Sequence, residues 1–111
     1  KKDIETSETK FYKGSLRSGQ RMEFEGSIVI LGDVNDGSEV IAEDNIVVLG
    51  CLRGMAHAGA KGNEKAIIAA NLIEAPQLRI ASVIKERSRD EIETESYSYS
   101  YINEKGIIEM E

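Results

Sequence analysis

The sequence predicts an all-β fold: a right-handed parallel β-helix of about four coils, triangular in section, with a short C-terminal strand or hairpin. Three observations carry this. Gly26-Ser27-Ile28-Val29-Ile30-Leu31-Gly32-Asp33-Val34 returns 18 residues later as Asp44-Asn45-Ile46-Val47-Val48-Leu49-Gly50-Cys51-Leu52. The register holds around it: Gly14, Gly32 and Gly50 form one column, Leu16, Val34 and Leu52 a second, and Arg17, Asn35 and Arg53 a third. Glycine-punctuated, β-rich repeats of this length mark a solenoid in which each repeat is one turn. Room for three short strands per repeat gives the triangle, and parallel crossovers are right-handed in the great majority of cases.

The elements follow in order. Arg21-Met22-Glu23-Phe24-Glu25 alternates cleanly, so Met22 and Phe24 point inward and the charges outward. One repeat on, Val40 and Ala42 take the inward places, with Ile41 an apolar exception outside. In the third coil those places fall to Ala58 and Ala60. An insertion of two residues around Gly62-Asn63-Glu64-Lys65 then shifts the spacing to 20. That register puts Ile67-Ile68-Ala69-Ala70 under Val47-Val48-Leu49-Gly50, continues the leucine column at Leu72, and sets Leu78 and Ile80 under Ala58 and Ala60. The β-helix is expected over residues 1–84, its coils between Phe11 and Ile84, followed by a polar linker and tail over 85–111. Residues 85–96 hold almost nothing to bury and read as a solvated linker or loose helix. Tyr97, Tyr99 and Tyr101, the Asn103–Gly106 turn, and Ile107, Ile108 and Met110 form a hairpin or a strand capping the last coil.

Composition narrows the function. The net charge of -6 argues against a nucleic-acid surface, which normally carries a basic stripe, and against direct binding to anionic lipid. No apolar run approaches the ~20 residues that span a bilayer. A single cysteine, Cys51, makes no internal disulfide and fits a reducing cytoplasm. The chain opens on Lys-Lys-Asp and reads as a fragment of a longer protein.

Ile28-Val29-Ile30-Leu31, Ile46-Val47-Val48-Leu49 and Ala66-Ile67-Ile68-Ala69 do not alternate, so one outer face carries Val29, Leu31, Val47, Leu49 and Ile67. Each such side chain leaves ~1.5–3 kcal/mol of burial unrealised when exposed. Patches of this kind usually mark partner surfaces. A symmetric homodimer packed sheet to sheet covers it; so would the C-terminal tail folding back.

Little reads as catalysis. His57 is the only histidine and has no carboxylate at a motif spacing, so a packed or surface role outweighs a general base. One cysteine and one histidine make no zinc site, Gly59–Asn63 lacks the P-loop spacing, and no cofactor is expected. The corner Leu16-Arg17-Ser18-Gly19-Gln20 differs. It sets a guanidinium, a hydroxyl and an amide on a tight glycine turn, with Asn35-Asp36-Gly37-Ser38 one coil along and Arg53-Gly54 one further. Arginine is enriched in interface hot spots; ordinary turn chemistry explains the same residues equally well.

The strings Leu16–Arg21, Gly32–Ala42, Asn45–Gly50 and Leu52–Ala60 resemble the C-terminal domain of the septum-site-determining MinC family, densely from about Phe11 to Ile84. The resemblance implies a right-handed β-helix that dimerises and binds the ATPase MinD in its ATP-bound form. MinD in turn would bring the cytoplasmic protein to the inner face of the cell membrane, where it inhibits FtsZ assembly. It implies that Arg17, Ser18, Gly19 and Gln20 form the MinD-contact motif, with Gly37, Glu39 and Arg53 in the same region. Two alternatives remain: a self-polymerising β-helical scaffold and a hexapeptide-type acyltransferase.

Overall fold

The structure is a computed structural model that describes residues 8–111, so the first seven residues of the expected 1–84 unit lie outside the described residues. Coil one comprises β1 (Thr9–Lys13) and β2 (Arg21–Phe24); coil two, β3 (Ser27–Leu31) and β4 (Glu39–Ala42). Coil three comprises β5 (Ile46–Leu52) and β6 (Met55–Ala58), and coil four β7 (Ile68–Ile73) and β8 (Gln77–Ile80). One sheet runs β1-β3-β5-β7, the other β2-β4-β6-β8, all parallel. The third side of the triangle is thinner than a strand. It is a ladder of single bridges, Leu16 to Val34 and Val34 to Leu52.

The core is a stack of in-register aliphatic columns. Ile28, Ile46 and Ile68 form one, Val40, Ala56 and Leu78 another, and all six are buried. Each large member contributes roughly 1.5–3 kcal/mol by leaving water. Small and large residues alternate down the second column, which keeps its volume filled at a near-constant coil spacing. One buried polar pair links neighbouring coils. Asn45 donates its backbone N–H to Ser27 Oγ (3.1 Å), and its Oδ1 accepts from Ile67 N–H (2.9 Å).

The register departs from the expected one in the second half. The offset between coils is 18 at Val34/Leu52, falls to 16 at Glu39/Met55, and rises to 22 at Ile46/Ile68. The Arg53-Gly54 corner is therefore two residues shorter than the one it stacks on, and the following corner absorbs six extra. Inward places in coil three belong to Ala56 and Ala58 rather than Ala58 and Ala60, and Leu78 and Ile80 lie on those two. A bulge between Val48 and Cys51 then pairs Leu52 with Ile73, so Ile73, not Leu72, continues the leucine column.

Beyond the coils, β9 (Val83–Glu86) runs antiparallel to β8 and straddles the expected boundary at 84. A six-residue helix α1 (Arg89–Thr94), N-capped by Ser88, follows. Strand β10 (Tyr99–Ile102) then pairs antiparallel with both β7 and β11 (Ile108–Met110), so the tail is both a hairpin and a cap. Segment 85–96 does bury one group. Arg87 is 6% exposed, donates to Ile73 O (2.8 Å) and Glu95 O (3.2 Å), and lies over the Tyr97 ring. It thus ties a carbonyl of the last coil to the one that ends α1.

Candidate functional site

The corner after β1 is a hydrogen-bonded turn. Gln20 N–H donates to Arg17 O (3.0 Å), and Gln20 Oε1 accepts from Arg17 N–H (2.7 Å). Gly19 sits at φ +88°, in the left-handed region where a side chain is disfavoured, and its N–H donates to Gly37 O (2.9 Å). Gly37, at φ +81°, lies where any Cβ would collide with Ser18 Oγ. Ser18 and Gly37 thus interlock two coils, and Gln20 is occupied within its own loop. What the turn presents outward is Arg17, with the exposed Ser18 hydroxyl and Gln20 Nε2 beside it. The Arg17 guanidinium has no hydrogen bond or ion pair among the described residues.

The neighbouring site residues are tied down. Glu39 donates its N–H to Gln20 O and accepts from Arg21 Nε (3.1 Å). Arg53 donates through Nε to Glu74 Oε1 (3.2 Å) and through Nη1 to Asn35 Oδ1 (3.5 Å). Arg17, Asn35, Arg53 and Glu74 therefore form one outer ridge above the buried Leu16, Val34, Leu52 and Ile73. Glu74 also accepts from Cys51 Sγ (3.1 Å). Burial first, then this bond to a carboxylate, pushes the thiol up to about 11.

The outer face of the larger sheet has its own column: Phe11, Val29, Val47, Ala69 and Tyr99 are in register, with Leu31 and Leu49 beside it. Phe11 is 68% and Leu49 51% exposed. The neighbour of Val47 is Ala69. Ile67 precedes β7 and sits half-buried at the corner, aligned with Asn45. Tyr99 and Tyr101 stack at 5.2 Å on this face, while Ser100 turns inward to donate to Ile68 O. The serine–tyrosine alternation is thus strand alternation. Tyr101 donates to Glu109 and Glu111, which holds its phenol well above the usual range.

His57 stands on the smaller sheet, its Nε2 2.9 Å from Ala81 O at the β8–β9 turn, where Ala81 has φ +53°. Sequence reasoning missed Glu74, Asn35 as a side-chain linker, and Tyr99; the column that set Asn35 between Arg17 and Arg53 and the tyrosine–serine alternation were the signals for the last two. Among the described residues no cluster of three or more His, Cys, Asp or Glu could hold a metal ion, and no helix is long and apolar enough to cross a membrane.

Residues 10–111 match the family described as septum formation inhibitor MinC, C-terminal domain. This chain belongs to the MinC family. It is 52% identical over 93 residues to a probable septum site-determining protein MinC of Acetivibrio thermocellus, covering 84% of this chain and 40% of that protein. It is 48% identical over 104 residues to a MinC of Persephonella marina, covering 93% of this chain and 52% of that one. The chain thus spans about half or less of these MinC relatives. Among solved structures, a chain of the MinC:MinD cell division protein complex of Aquifex aeolicus superposes with a TM-score of 0.87 at 37% identity, covering 95% of this chain and 86% of that one.

Proposed function

We propose that this domain is the dimerisation and MinD-binding module of a division inhibitor that blocks FtsZ ring assembly away from midcell. Recognition of ATP-bound MinD falls to Arg17 on its locked turn, with Ser18, Gly19, Gln20, Gly37 and Glu39 shaping the corner and Arg53 supporting it from further along the ridge. Dimerisation falls to the apolar face of Val29, Leu31, Val47 and Leu49, with Ile67 at its corner edge. The protein is cytoplasmic, and it reaches the inner face of the membrane only through MinD. The reading assigns it no catalysis, cofactor or nucleic acid. The observation that carries it is the unengaged Arg17 guanidinium on a rigid corner, in a chain closely similar to one from a MinC:MinD complex. The locked turn fixes the Arg17 backbone in advance, so binding has only the arginine side chain left to order. The antiparallel caps β9 and β10 weigh against a scaffold that grows by stacking parallel coils at that end. The test is capture of MinD by the immobilised domain: retention with ATP and release with ADP supports the reading, and indifference to both nucleotides, or no capture, contradicts it.

A further inference from the structure

We infer that Arg53 and Glu74 are positioning residues for the recognition corner, acting on Arg17 through Asn35 and not by touching the partner. The inference rests on the proposed role of Arg17. The peptide plane between Leu16 and Arg17 is clamped on both edges. Its carbonyl accepts from Asn35 N–H (3.1 Å) and Asn35 Nδ2 (2.9 Å), and its N–H donates to Gln20 Oε1 (2.7 Å). Rotation of that plane changes ψ of Leu16 and φ of Arg17 together, so the clamp sets the direction in which the Arg17 side chain leaves the backbone. One of the two donors on the carbonyl edge is a side-chain amide, and its orientation needs support from its other end. Arg53 Nη1 supplies it through a long bond to Asn35 Oδ1 (3.5 Å), which opposes rotation of the amide whose Nδ2 the Leu16 carbonyl already selects. Arg53 is steered in turn by Glu74, whose Oε1 takes its Nε at 3.2 Å. The planar fork favours this: Nε engages one coil and Nη1 another from fixed positions, whereas an ammonium would offer both acceptors one point donor on a flexible stem. The chain of contacts runs from coil four to coil one, and Glu74 lies roughly 14 Å from the Arg17 turn, three strand spacings away.

Removal of Glu74 separates this role from direct contact. If Arg53 touched an acidic partner, losing its intramolecular carboxylate would free it and leave binding unchanged or tighter. As a positioning residue, it instead loses its orientation. The experiment measures the affinity of ATP-loaded MinD for Glu74→Ala, Arg53→Lys and Arg17→Ala, with amide exchange of the free domain at Arg17 and Asn35. Glu74→Ala is expected to weaken binding about fivefold, the scale of one net hydrogen bond, and to speed exchange at Arg17 in the absence of any partner. Arg53→Lys keeps the charge and should lose as much. Glu74→Gln, whose amide oxygen still accepts from Arg53, should recover most of the affinity and all of the exchange protection. Unchanged or tighter binding by Glu74→Ala, or full affinity in Arg53→Lys, overturns the inference even where Arg17→Ala abolishes binding. Undiminished binding by Arg17→Ala overturns the underlying reading instead.

Discussion

Leu49→Asp should convert a dimer into a monomer without unfolding the coils. Phe11, Leu49 and Leu31 are 68%, 51% and 39% exposed, together equivalent to roughly one and a half large apolar side chains left in water. Covering them is worth about 2–5 kcal/mol per copy and twice that for a symmetric pair, at ~1.5–3 kcal/mol per side chain. Val29, Val47 and Tyr99, half-buried in the isolated chain, add a further share. The gross gain must exceed an association cost of several kcal/mol, so the margin is small. Leu49→Asp removes about 1 kcal/mol of burial from each copy. It also brings two carboxylates into an apolar contact, at a cost of several kcal/mol per ion. The dissociation constant should rise by about 1,000-fold or more. Leu49 faces away from the core columns and lies where the ladder to β7 is already interrupted, so the β circular dichroism and thermal midpoint should hold. Sedimentation equilibrium reads the mass directly. A variant that stays dimeric at micromolar concentration would refute the assignment of this face.

Two further outcomes follow from the interior. A Cβ at Gly50 would collide with Gly32 O and meet Asp33 Oδ1 at 2.5 Å, an oxygen already engaged by Cys51 N–H. Gly50→Ala should therefore cost about 1–3 kcal/mol and lower the thermal midpoint by at least ~4 °C, and an unchanged midpoint would contradict the tight stacking. Cys51, with its thiol at about 11, should be roughly one-thousandth thiolate at pH 8. Alkylation by iodoacetamide should then be slow at pH 8 and climb until about pH 11, whereas a plateau near pH 9 would show an ordinary thiol.

The repeat was legible because strand positions must recur wherever coils stack: Gly32 and Gly50, Val34 and Leu52, Ile28 and Ile46 share their spacing for that reason. Corners obey no such rule. The shortened Arg53-Gly54 turn and the six extra residues before Ala66 leave their mark only as a net shift, which a two-residue insertion mimics poorly. That is why Leu72 stood in for Ile73 and Ile67 for Ala69. The motif residues Arg17–Gln20 could be read from their types, but the inter-coil links through Asn35 and Glu74 depend on which coil stacks on which corner. Arg87 was hidden more thoroughly. A buried arginine whose partners are two backbone carbonyls leaves no trace in a run of charged residues.

The affinity of ATP-loaded MinD for Arg17→Ala, set beside His57→Ala, tests the central claim most directly. Arg17 projects from the ridge, whereas His57 lies on the other sheet and is bound to Ala81 O. Arg17→Ala should lose ~2 kcal/mol or more, roughly thirtyfold in the dissociation constant, with unchanged dimerisation and thermal midpoint, and His57→Ala should bind like the parent. Undiminished binding by Arg17→Ala, or equal losses from both variants, would contradict the account.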